Sequence, residues 1–527
     1  MSSVEPQHLD FDCLIVGAGL SGICAAYYLQ KHCQSIYPDF TFKIFERRHT
    51  FGGTWSLHKY CGVRSDSDCY TFSFPFHPWT RPYKYASAED ILEYLQEVMT
   101  KYNIDRYISY NKNILEANWS DDDAFWTLTV CDDYDVNSVE EATMKKKTLT
   151  TYRVRHLIMA SGYYSYKNPH WPKFEGQDKF KGKIMHPQFW DPEYDITDKK
   201  IVICGSGATA ITILPAAAEK AKHVTMLQRS PTYIVNLPAK GPVVDFFFKF
   251  QSILPLFVIA RLLRLALVSI SFLSFWFTQL FPNFTKKNFL KTTARELGEH
   301  NRHLLPDFTP SYNVWRQRVC VDPDGAFFKA IRDGKASVMT AEIDHFKKNG
   351  VVLKNQKNPR NTAEFLECDL FVPATGLTLQ SAGGMKIIIN GIQHETKAGY
   401  SYRGVMLADV PNLFPIIGYF SSSWTLKCAL ETEYAAKMIA HCTKNHYRVV
   451  VPRARSKADG VLPFDMESGY LQRGRDEMPR CGTKWPWTMG SNWMTDIWLI
   501  GWAPINDTNN LEFLGRNARR RRRLEEM

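Results

Sequence analysis

Phe11-Asp-Cys-Leu-Ile-Val16 followed by Gly17-Ala-Gly-Leu-Ser-Gly22 is the stretch that decides the fold of this chain. The first six residues are the apolar run of a buried parallel strand, and the stretch after the glycines, 23–30, favours a helix. A glycine turn in this context lets the backbone approach a pyrophosphate, whose charge the free N–H groups at the helix start can bind. A second turn, Gly205-Ser-Gly-Ala-Thr-Ala210, follows another short apolar run. Two such turns predict two dinucleotide-binding units.

From these two units we expect an α/β fold with two Rossmann-type dinucleotide-binding domains and a helical insertion. The expected order is a first domain over 8–170, a linker over 171–200, a second domain over 201–369 with the insertion at about 238–310, a return of the first domain over 370–449, and a C-terminal wrap and basic tail over 450–527. The charged stretch 131–147 reads as an exposed hairpin between two strands.

An acidic residue follows the second strand of the first unit, as expected for binding of ribose hydroxyls. Glu46 lies 24 residues past Gly22, close to the usual distance. Gly52-Gly53 before Thr54 and Trp55 would let another loop lie flat against the dinucleotide. The candidate cofactor-binding residues of this unit are Gly17, Gly19, Ser21, Gly22, Glu46, Gly53, Thr54, Trp55 and Ile114.

The second unit has no carboxylate after its second strand. Arg229 and Ser230 stand there instead, and a guanidinium with a hydroxyl suits a ribose 2′-phosphate, which an acid would repel. This favours NADPH over NADH. The candidate residues of the second unit are Gly205, Ser206, Gly207, Ala208, Thr209, Ala210, Arg229 and Ser230.

The bulk composition excludes several other classes of protein. Lys and Arg outnumber Asp and Glu by 65 to 54, but six of the arginines fall within 516–527, so we interpret the excess as a solvated tail and expect no nucleic-acid partner. The twelve cysteines show no CxxC and no spacing typical of a metal site, so we expect no metal and a reducing, cytoplasmic setting. The absence of a close cysteine pair after the first turn also argues against a flavin disulfide reductase.

The apolar segment 253–281 is broken only by Arg261 and Arg264. A transmembrane helix needs about 20 apolar residues, and the uncharged run 265–281 has 17 residues, just short of that requirement. Three interpretations stay open: a helix buried in the protein, a helix in peripheral contact with a membrane surface, and a true span.

A further pattern lies in the linker between the two units. Phe180, Gly182, His186, Trp190 and Asp191 match the Baeyer–Villiger monooxygenase fingerprint FxGxxxHxxxW(P/D). Further matching stretches are 52–55, 62–68, 205–210, 223–235, 312–318 and 423–426. On these, the chain resembles the ethionamide-activating branch of that family of class B flavin monooxygenases from about residue 10 to 510. The resemblance is thinnest in the helical insertion.

The resemblance implies tightly held FAD, NADPH as reductant, and insertion of one oxygen atom of O₂ beside a ketone carbonyl via a C4a-peroxyflavin. The product would be an ester or lactone, and members of this branch also oxygenate sulfur. The family's catalytic arginine falls on Arg318, whose permanent charge would stabilise a developing oxyanion. Its partner aspartate falls on Asp66, and Arg64 and Ser65 fall where the family contacts NADP.

One departure concerns the residue before the catalytic arginine, which is Lys in several relatives and Gln317 here; Arg316 is the next candidate cation. Two rival functions stay open. One is an N- or S-oxygenating flavin monooxygenase, which needs no cation at Arg318. The other is a non-catalytic, membrane-associated flavoprotein.

Overall fold

The computed structural model describes residues 8–132, 148–360, 363–454, 460–463, 466–490 and 492–515. The predicted hairpin tip at 131–147 falls almost entirely outside these ranges, and the terminal arginine run lies wholly outside them.

The helices of the described chain are α1 (Leu20–Leu29), α2 (Thr54–Leu57), α3 (Cys69–Phe72), α4 (Ala88–Lys101), α5 (Ala208–Ala218), α6 (Pro242–Phe248), α7 (Leu256–Leu280), α8 (Pro282–Leu297), α9 (Ala326–Arg332), α10 (Trp424–Lys444), α11 (Gly469–Arg473) and α12 (Trp493–Asp496). Short 3-10 or π turns span Gln30–Gln34, Asp105–Tyr107, Gln177–Lys179, Pro187–Phe189, Arg302–Phe308, Ser381–Gly384, Thr396–Ala398, Arg475–Glu477 and Ile497–Gly501.

The strands begin with β1 (Phe11–Val16), β2 (Phe42–Phe45), β3 (Ile108–Ser109), β4 (Asn113–Ser120), β5 (Phe125–Cys131), β6 (Leu149–Met159), β7 (Lys183–Ile184), β8 (Lys200–Cys204), β9 (His223–Gln228), β10 (Ile234–Leu237), β11 (Cys320–Pro323) and β12 (Ala336–Thr340). They continue with β13 (Glu342–Lys347), β14 (Gly350–Lys354), β15 (Phe365–Glu367), β16 (Leu370–Pro373), β17 (Lys386–Ile389), β18 (Ile392–His394), β19 (Ser401–Tyr402), β20 (Met406–Leu407), β21 (Leu413–Pro415), β22 (Tyr447–Pro452) and β23 (Leu511–Gly515).

The first large sheet is built around β1, as its apolar sequence predicts. Its order is β18-β17-β4-β5-β6-β1-β2-β3, with β21 also paired to β6. The pairs of β1 with β2 and with β6 are parallel, whereas β4, β5 and β6 form an antiparallel meander. Helix α1 leaves the end of β1 and is buried along almost its whole length, with α10 packed on it.

The second sheet is wholly parallel in the order β12-β9-β8-β16-β7. Its central strand β8 leads into the second glycine turn and α5, which repeats the arrangement of β1 and α1. Parallel strands carry their loops for ligand binding at the carboxyl edge of the sheet. Both glycine turns therefore lie where dinucleotides bind in such sheets.

The stretch between β10 and β11 is helical, with α6, α7, α8 and a 3-10 turn. Helix α7 is the longest of the described chain at 25 residues. Only 28% of its most apolar 18-residue window is buried, so the interpretation of a fully buried helix is wrong for this segment.

Candidate functional site

A large cleft opens at the carboxyl ends of β1, β2, β6 and β8. It encloses about 1760 Å³, open solvent at its mouth included. The predicted site residues that line it are Gly17, Gly19, Ser21, Glu46, Gly53, Thr54, Trp55, Arg64, Ser65, Asp66, Ile114, Ala208, Thr209 and Arg318. Gly22, Gly205, Ser206, Gly207, Ala210, Arg229, Ser230 and the fingerprint residues do not line it. The cleft thus joins residues of both predicted units around Arg318.

The first glycine turn is shaped by close backbone contacts. Gly17 has φ +100°, and a Cβ there would lie 2.8 Å from the carbonyl oxygen of Ala160. A Cβ on Gly22 would lie 1.9 Å from the carbonyl oxygen of Gly17. Gly19 caps α1 without a side chain, which leaves the first N–H groups of the helix available to an anion. This geometry fits a bound pyrophosphate.

Glu46 is buried at the end of β2 and holds the turn in place. One carboxylate oxygen accepts the N–H of Ala18 at 2.8 Å, and the other accepts the N–H of Arg48 at 2.9 Å. Each oxygen keeps a further lone pair that can accept a ribose hydroxyl. Glu46 therefore both anchors the turn and faces the cleft.

The second glycine turn repeats the first in detail. Gly205 has φ +134°, and a Cβ there would lie 2.2 Å from the carbonyl oxygen of Ala374, just as Gly17 abuts Ala160. A Cβ on Gly207, in contrast, would meet nothing within 4 Å. The space beside Gly207 is thus open for a ligand to approach the backbone.

The end of β9 carries Arg229 and Ser230, both exposed. The carbonyl oxygen of Ser230 accepts the hydroxyl of Ser206 at 3.1 Å, which ties this end to the second turn. Arg473 of α11 lies near Arg229: burial lowers the pKa of Arg473, and the neighbouring Arg229 charge lowers it further. Two guanidinium groups in this position suit a phosphate. Arg473 lies far along the chain in a segment without periodicity, so sequence reasoning missed it.

Arg318 lies in the cleft among aromatic side chains. The phenol groups of Tyr470, Tyr163 and Tyr164, with the carboxylate of Asp66, hold the pKa of Arg318 well above its ordinary value although burial opposes this. The guanidinium is therefore a permanent cation. Its Nε is buried and has no hydrogen-bond partner among the described residues, so it can donate to a bound anion.

Asp66 acts on Arg318 through its charge rather than through a direct ion pair, since no contact within 4.0 Å joins these two described side chains. Arg64 and Ser65 precede Asp66 along the same wall of the cleft. The Nη2 atom of Arg64 is also buried without a hydrogen-bond partner in the described chain. Two unpaired guanidinium donors in one cleft indicate an anionic ligand.

Aromatic residues that sequence reasoning missed complete the cleft. Tyr163 stacks on Trp424 with ring centroids 5.1 Å apart, and Trp424 donates its Nε1–H to the hydroxyl of Ser21 at 2.9 Å. Tyr164 donates to the hydroxyl of Tyr163 at 3.0 Å. Tyr163 and Tyr164 directly follow the small residues Ala160-Ser-Gly162 after β6, and this position is the sequence signal that indicates them.

The five fingerprint residues lie in the linker and do not line the cleft. A Cβ on Gly182 would lie 2.4 Å from the Phe180 ring and 2.6 Å from the carbonyl oxygen of Asp369, so this position has no room for a side chain. His186 accepts the N–H of Gln188 at 3.1 Å, Trp190 belongs to the core of the second domain, and Asp191 accepts an N–H at 3.1 Å. Their contacts are thus with the linker and the second sheet and not with the cleft.

Three buried histidines predict a loss of stability in mild acid. Burial lowers the pKa of His58 and of His186 to about 4, and that of His156 to about 3. In the unfolded chain each binds a proton below about pH 6.5, so the unfolded state binds more protons there and the free energy of unfolding falls with pH. We expect a loss of about 1 kcal/mol per histidine between pH 7.5 and 5.5, measured by denaturant unfolding.

The variant His156→Leu separates this effect from the titration of carboxylates. It should show a pH dependence that is smaller than that of the parent protein by about 1 kcal/mol over the same interval. An identical pH dependence in the two proteins would mean that His156 is not buried in its neutral form.

Residues 12–255 match the family described as flavin-binding monooxygenase-like. The chain is 38% identical over 510 residues to the FAD-containing monooxygenase EthA of Mycolicibacterium smegmatis, across 96% of this chain and 98% of that protein. It is 38% identical over 499 residues to the probable FAD-binding monooxygenase AlmA of an Acinetobacter species, across 94% of this chain and 95% of that protein.

Two solved structures share the architecture. An oxidized steroid monooxygenase bound to NADP matches with TM-score 0.72 and 20% identity, across 96% of this chain and 99% of that one. OTEMO in complex with FAD and NADP matches with TM-score 0.69 and 17% identity, across 96% and 100%. At these identities the likeness shows a common fold.

Proposed function

This chain belongs to the flavin-binding monooxygenase-like family, and from that premise we propose that it is an FAD- and NADPH-dependent monooxygenase of the Baeyer–Villiger type. Each turnover would convert a ketone, O₂, NADPH and a proton into an ester or lactone, water and NADP⁺. The observation that carries this proposal is the permanent cation Arg318, unpaired at Nε, in a cleft that fits a flavin dinucleotide.

The FAD would be held by the turn at Gly17 and Gly22, by Glu46, and by the loop at Gly53 against which the turn packs. The fit rests on the open helix start at α1 and on the space that only glycine leaves. When bound and reduced by NADPH, the flavin supplies the activation of O₂ that a monooxygenase requires.

The chain's own residues would then act on the substrate. Arg318 donates to the carbonyl oxygen of the ketone and stabilises the negative charge that develops there as oxygen adds. Asp66 and the neighbouring phenols keep this guanidinium in place and charged. Tyr163 and Trp424, stacked on each other, form an apolar part of the cleft wall.

NADPH would bind at the second turn, with its 2′-phosphate between Arg229 and Arg473. Replacing Arg229 by alanine should raise the KM for NADPH by about 10- to 100-fold, because a charged hydrogen bond is worth about 1.5–3 kcal/mol. The KM for NADH, which lacks this phosphate, should change little. Steady-state NADPH and NADH oxidation measures both, and Lys222→Ala, which removes an exposed cation of the same domain, is the matched control. An equal loss with both nucleotides would contradict the assignment.

The rival proposal is oxygenation of nitrogen or sulfur, and sulfur oxygenation is compatible with the same cleft. A soft sulfur atom attacks oxygen without forming an oxyanion, so it does not need Arg318. The position of Arg318 in the cleft favours the ketone as the main substrate class.

The test is product identification by mass spectrometry with linear, cyclic and aryl ketones and one sulfide. We expect NADPH oxidation that a ketone accelerates, with an ester or lactone formed in proportion. Sulfoxide without any ester would favour the rival. Protein that holds FAD and never oxidises NADPH would favour a non-catalytic flavoprotein.

The enzyme would work in the cytoplasm and touch a membrane peripherally through residues 253–281. The exposed apolar side of α7 supports this, and all twelve cysteines are free thiols, as a reducing compartment would keep them.

A further inference from the structure

The three helices of the insertion and the turns between them expose many large apolar side chains. The set comprises Phe246, Phe250, Ile253, Leu256, Phe257, Leu262, Leu265, Ile270, Leu273, Trp276, Phe277, Leu280, Phe281 and Phe284, and is called the insertion face. Several of its aromatic rings touch one another: Phe277 lies 5.1 Å from Phe281 and 6.0 Å from Phe284, centroid to centroid. Soluble monomers rarely leave an apolar patch of this extent exposed, so it indicates a binding surface.

The opposite side of α7 is packed into the protein. Ile259, Ala260, Leu263 and Val268 are buried along one stripe. Arg264 is buried with them and donates to the backbone carbonyl oxygens of Tyr70, Thr71 and Ser73, at 3.1, 3.1 and 2.6 Å. A helix bonded to the protein in this way cannot be surrounded by lipid, so α7 lies on a surface and does not span a bilayer.

The charge of the insertion specifies the partner. Acidic residues make up 54 of the 527 residues, yet the stretch 246–295 has none. Its exposed or partly exposed cations are Lys249, Arg261, Lys286, Lys287, Lys291 and Arg295. Two acidic residues lie directly beside this stretch, the exposed Asp245 on α6 and the partly exposed Glu296 on α8. Cations still outnumber acidic groups around the apolar face, which makes it complementary to a membrane with anionic headgroups, where each cation adds to the attraction.

The buried side of α7 forms part of the wall behind the cleft. Arg264 holds the carbonyl groups on either side of Phe72, which lines the cleft. Val268 packs on Tyr419, another lining residue. The ring centroid of Phe275 lies 6.1 Å from that of Trp315, and Trp315 precedes Arg318 by three residues. The cleft and the insertion face are thus separated by the thickness of one helix.

We propose that the insertion face seats the enzyme on an anionic phospholipid bilayer and that its substrate is a lipophilic ketone or sulfide taken from that bilayer. The inference rests on the proposed oxygenase function and names its substrate class. A short water-soluble ketone would reach the cleft without the membrane. A long-chain ketone dissolved in lipid would reach it only when the enzyme is bound to the bilayer.

The test uses FAD-loaded full-length protein with vesicles of phosphatidylcholine alone or with added phosphatidylglycerol. Co-sedimentation should occur with the anionic vesicles and weaken in high salt. The double variant Leu273→Asp/Leu280→Asp, whose parent residues are 66% and 68% exposed, should lower the bound fraction by about tenfold or more. The matched control Ile392→Asp replaces an apolar residue that is 75% exposed on β18, and should bind as the parent does.

Activity then separates this inference from the proposed function. The double variant should keep its FAD and its rate on a short ketone, and lose about tenfold or more of its rate on a long-chain ketone in anionic vesicles. Failure of the parent protein to bind anionic vesicles, or equal binding by the double variant, would overturn the seat. A third result would also overturn it: the parent protein is a dimer and the double variant is a monomer. The insertion face would then be an interface between two copies of the chain. Vesicle binding without turnover of any ketone would support the seat and overturn the oxygenase function instead.

Discussion

Replacing Arg318 by alanine is expected to lower kcat for ketone oxygenation by about 100- to 1000-fold while FAD stays bound. The reason is the loss of a guanidinium in the cleft that its surroundings hold charged and whose Nε has no partner among the described residues. Loss of a positioned oxyanion donor costs about 2.7–4 kcal/mol in the barrier. The measurement is ester formation under saturating NADPH, with the flavin content read from the absorbance spectrum.

Two comparisons make this prediction specific. Arg316→Ala removes the next cation, which is exposed, and should leave ester formation largely intact. Sulfide oxygenation by Arg318→Ala should survive in part, because no oxyanion forms on that route. Loss of ester formation in Arg316→Ala, together with its retention in Arg318→Ala, would contradict the prediction and identify Arg316 as the catalytic cation.

Replacing Gly22 by alanine is expected to weaken the binding of FAD strongly. The added Cβ would lie 1.9 Å from the carbonyl oxygen of Gly17, and this backbone atom cannot move away without a change in the turn. The turn must then open, and the N–H groups at the start of α1 no longer converge on the pyrophosphate. We expect a loss of FAD affinity of about 5- to 150-fold, which corresponds to the about 1–3 kcal/mol that overpacking of this kind costs.

The control is an alanine substitution at Gly207 of the second turn, the counterpart of Gly19, because the position equivalent to Gly22 is already Ala210. A Cβ on Gly207 meets nothing within 4 Å, so Gly207→Ala should fold, keep its FAD and bind NADPH about tenfold more weakly, as the methyl group occupies the approach to the backbone. Circular dichroism shows whether Gly22→Ala is folded. A folded, yellow Gly22→Ala protein with a full complement of FAD would rule out our assignment of the first turn.

The fold class and the family were predictable from the sequence because their signals are local. A buried strand, a glycine turn and a helix follow one another within about twenty residues at both β1 and β8, and the comparisons confirm the α/β fold and the flavin monooxygenase family. The assignment of individual site residues remains a prediction, although the cleft gathers many of them around Arg318.

The rest of the site was not predictable because its contacts join distant parts of the chain. Tyr470 reaches Arg318, and Trp424 reaches Ser21, across stretches whose periodicity says nothing about tertiary position. The fingerprint shows the reverse case: His186 carries a strong motif, yet it lies in the linker outside the cleft. For α7 the sequence does not separate a buried apolar helix from an exposed one, because both are rich in the same residues. The fold shows which side of the helix is covered.

The central claim is that this cleft transfers one atom of molecular oxygen into a carbon–carbon bond beside a ketone. The most direct measurement is turnover of FAD-loaded protein with NADPH and a ketone under ¹⁸O₂, followed by mass spectrometry of the product. The account predicts an ester or lactone that carries a single ¹⁸O atom, with NADPH consumed in equal amount. NADPH consumption that yields hydrogen peroxide and no labelled ester from any ketone would contradict it.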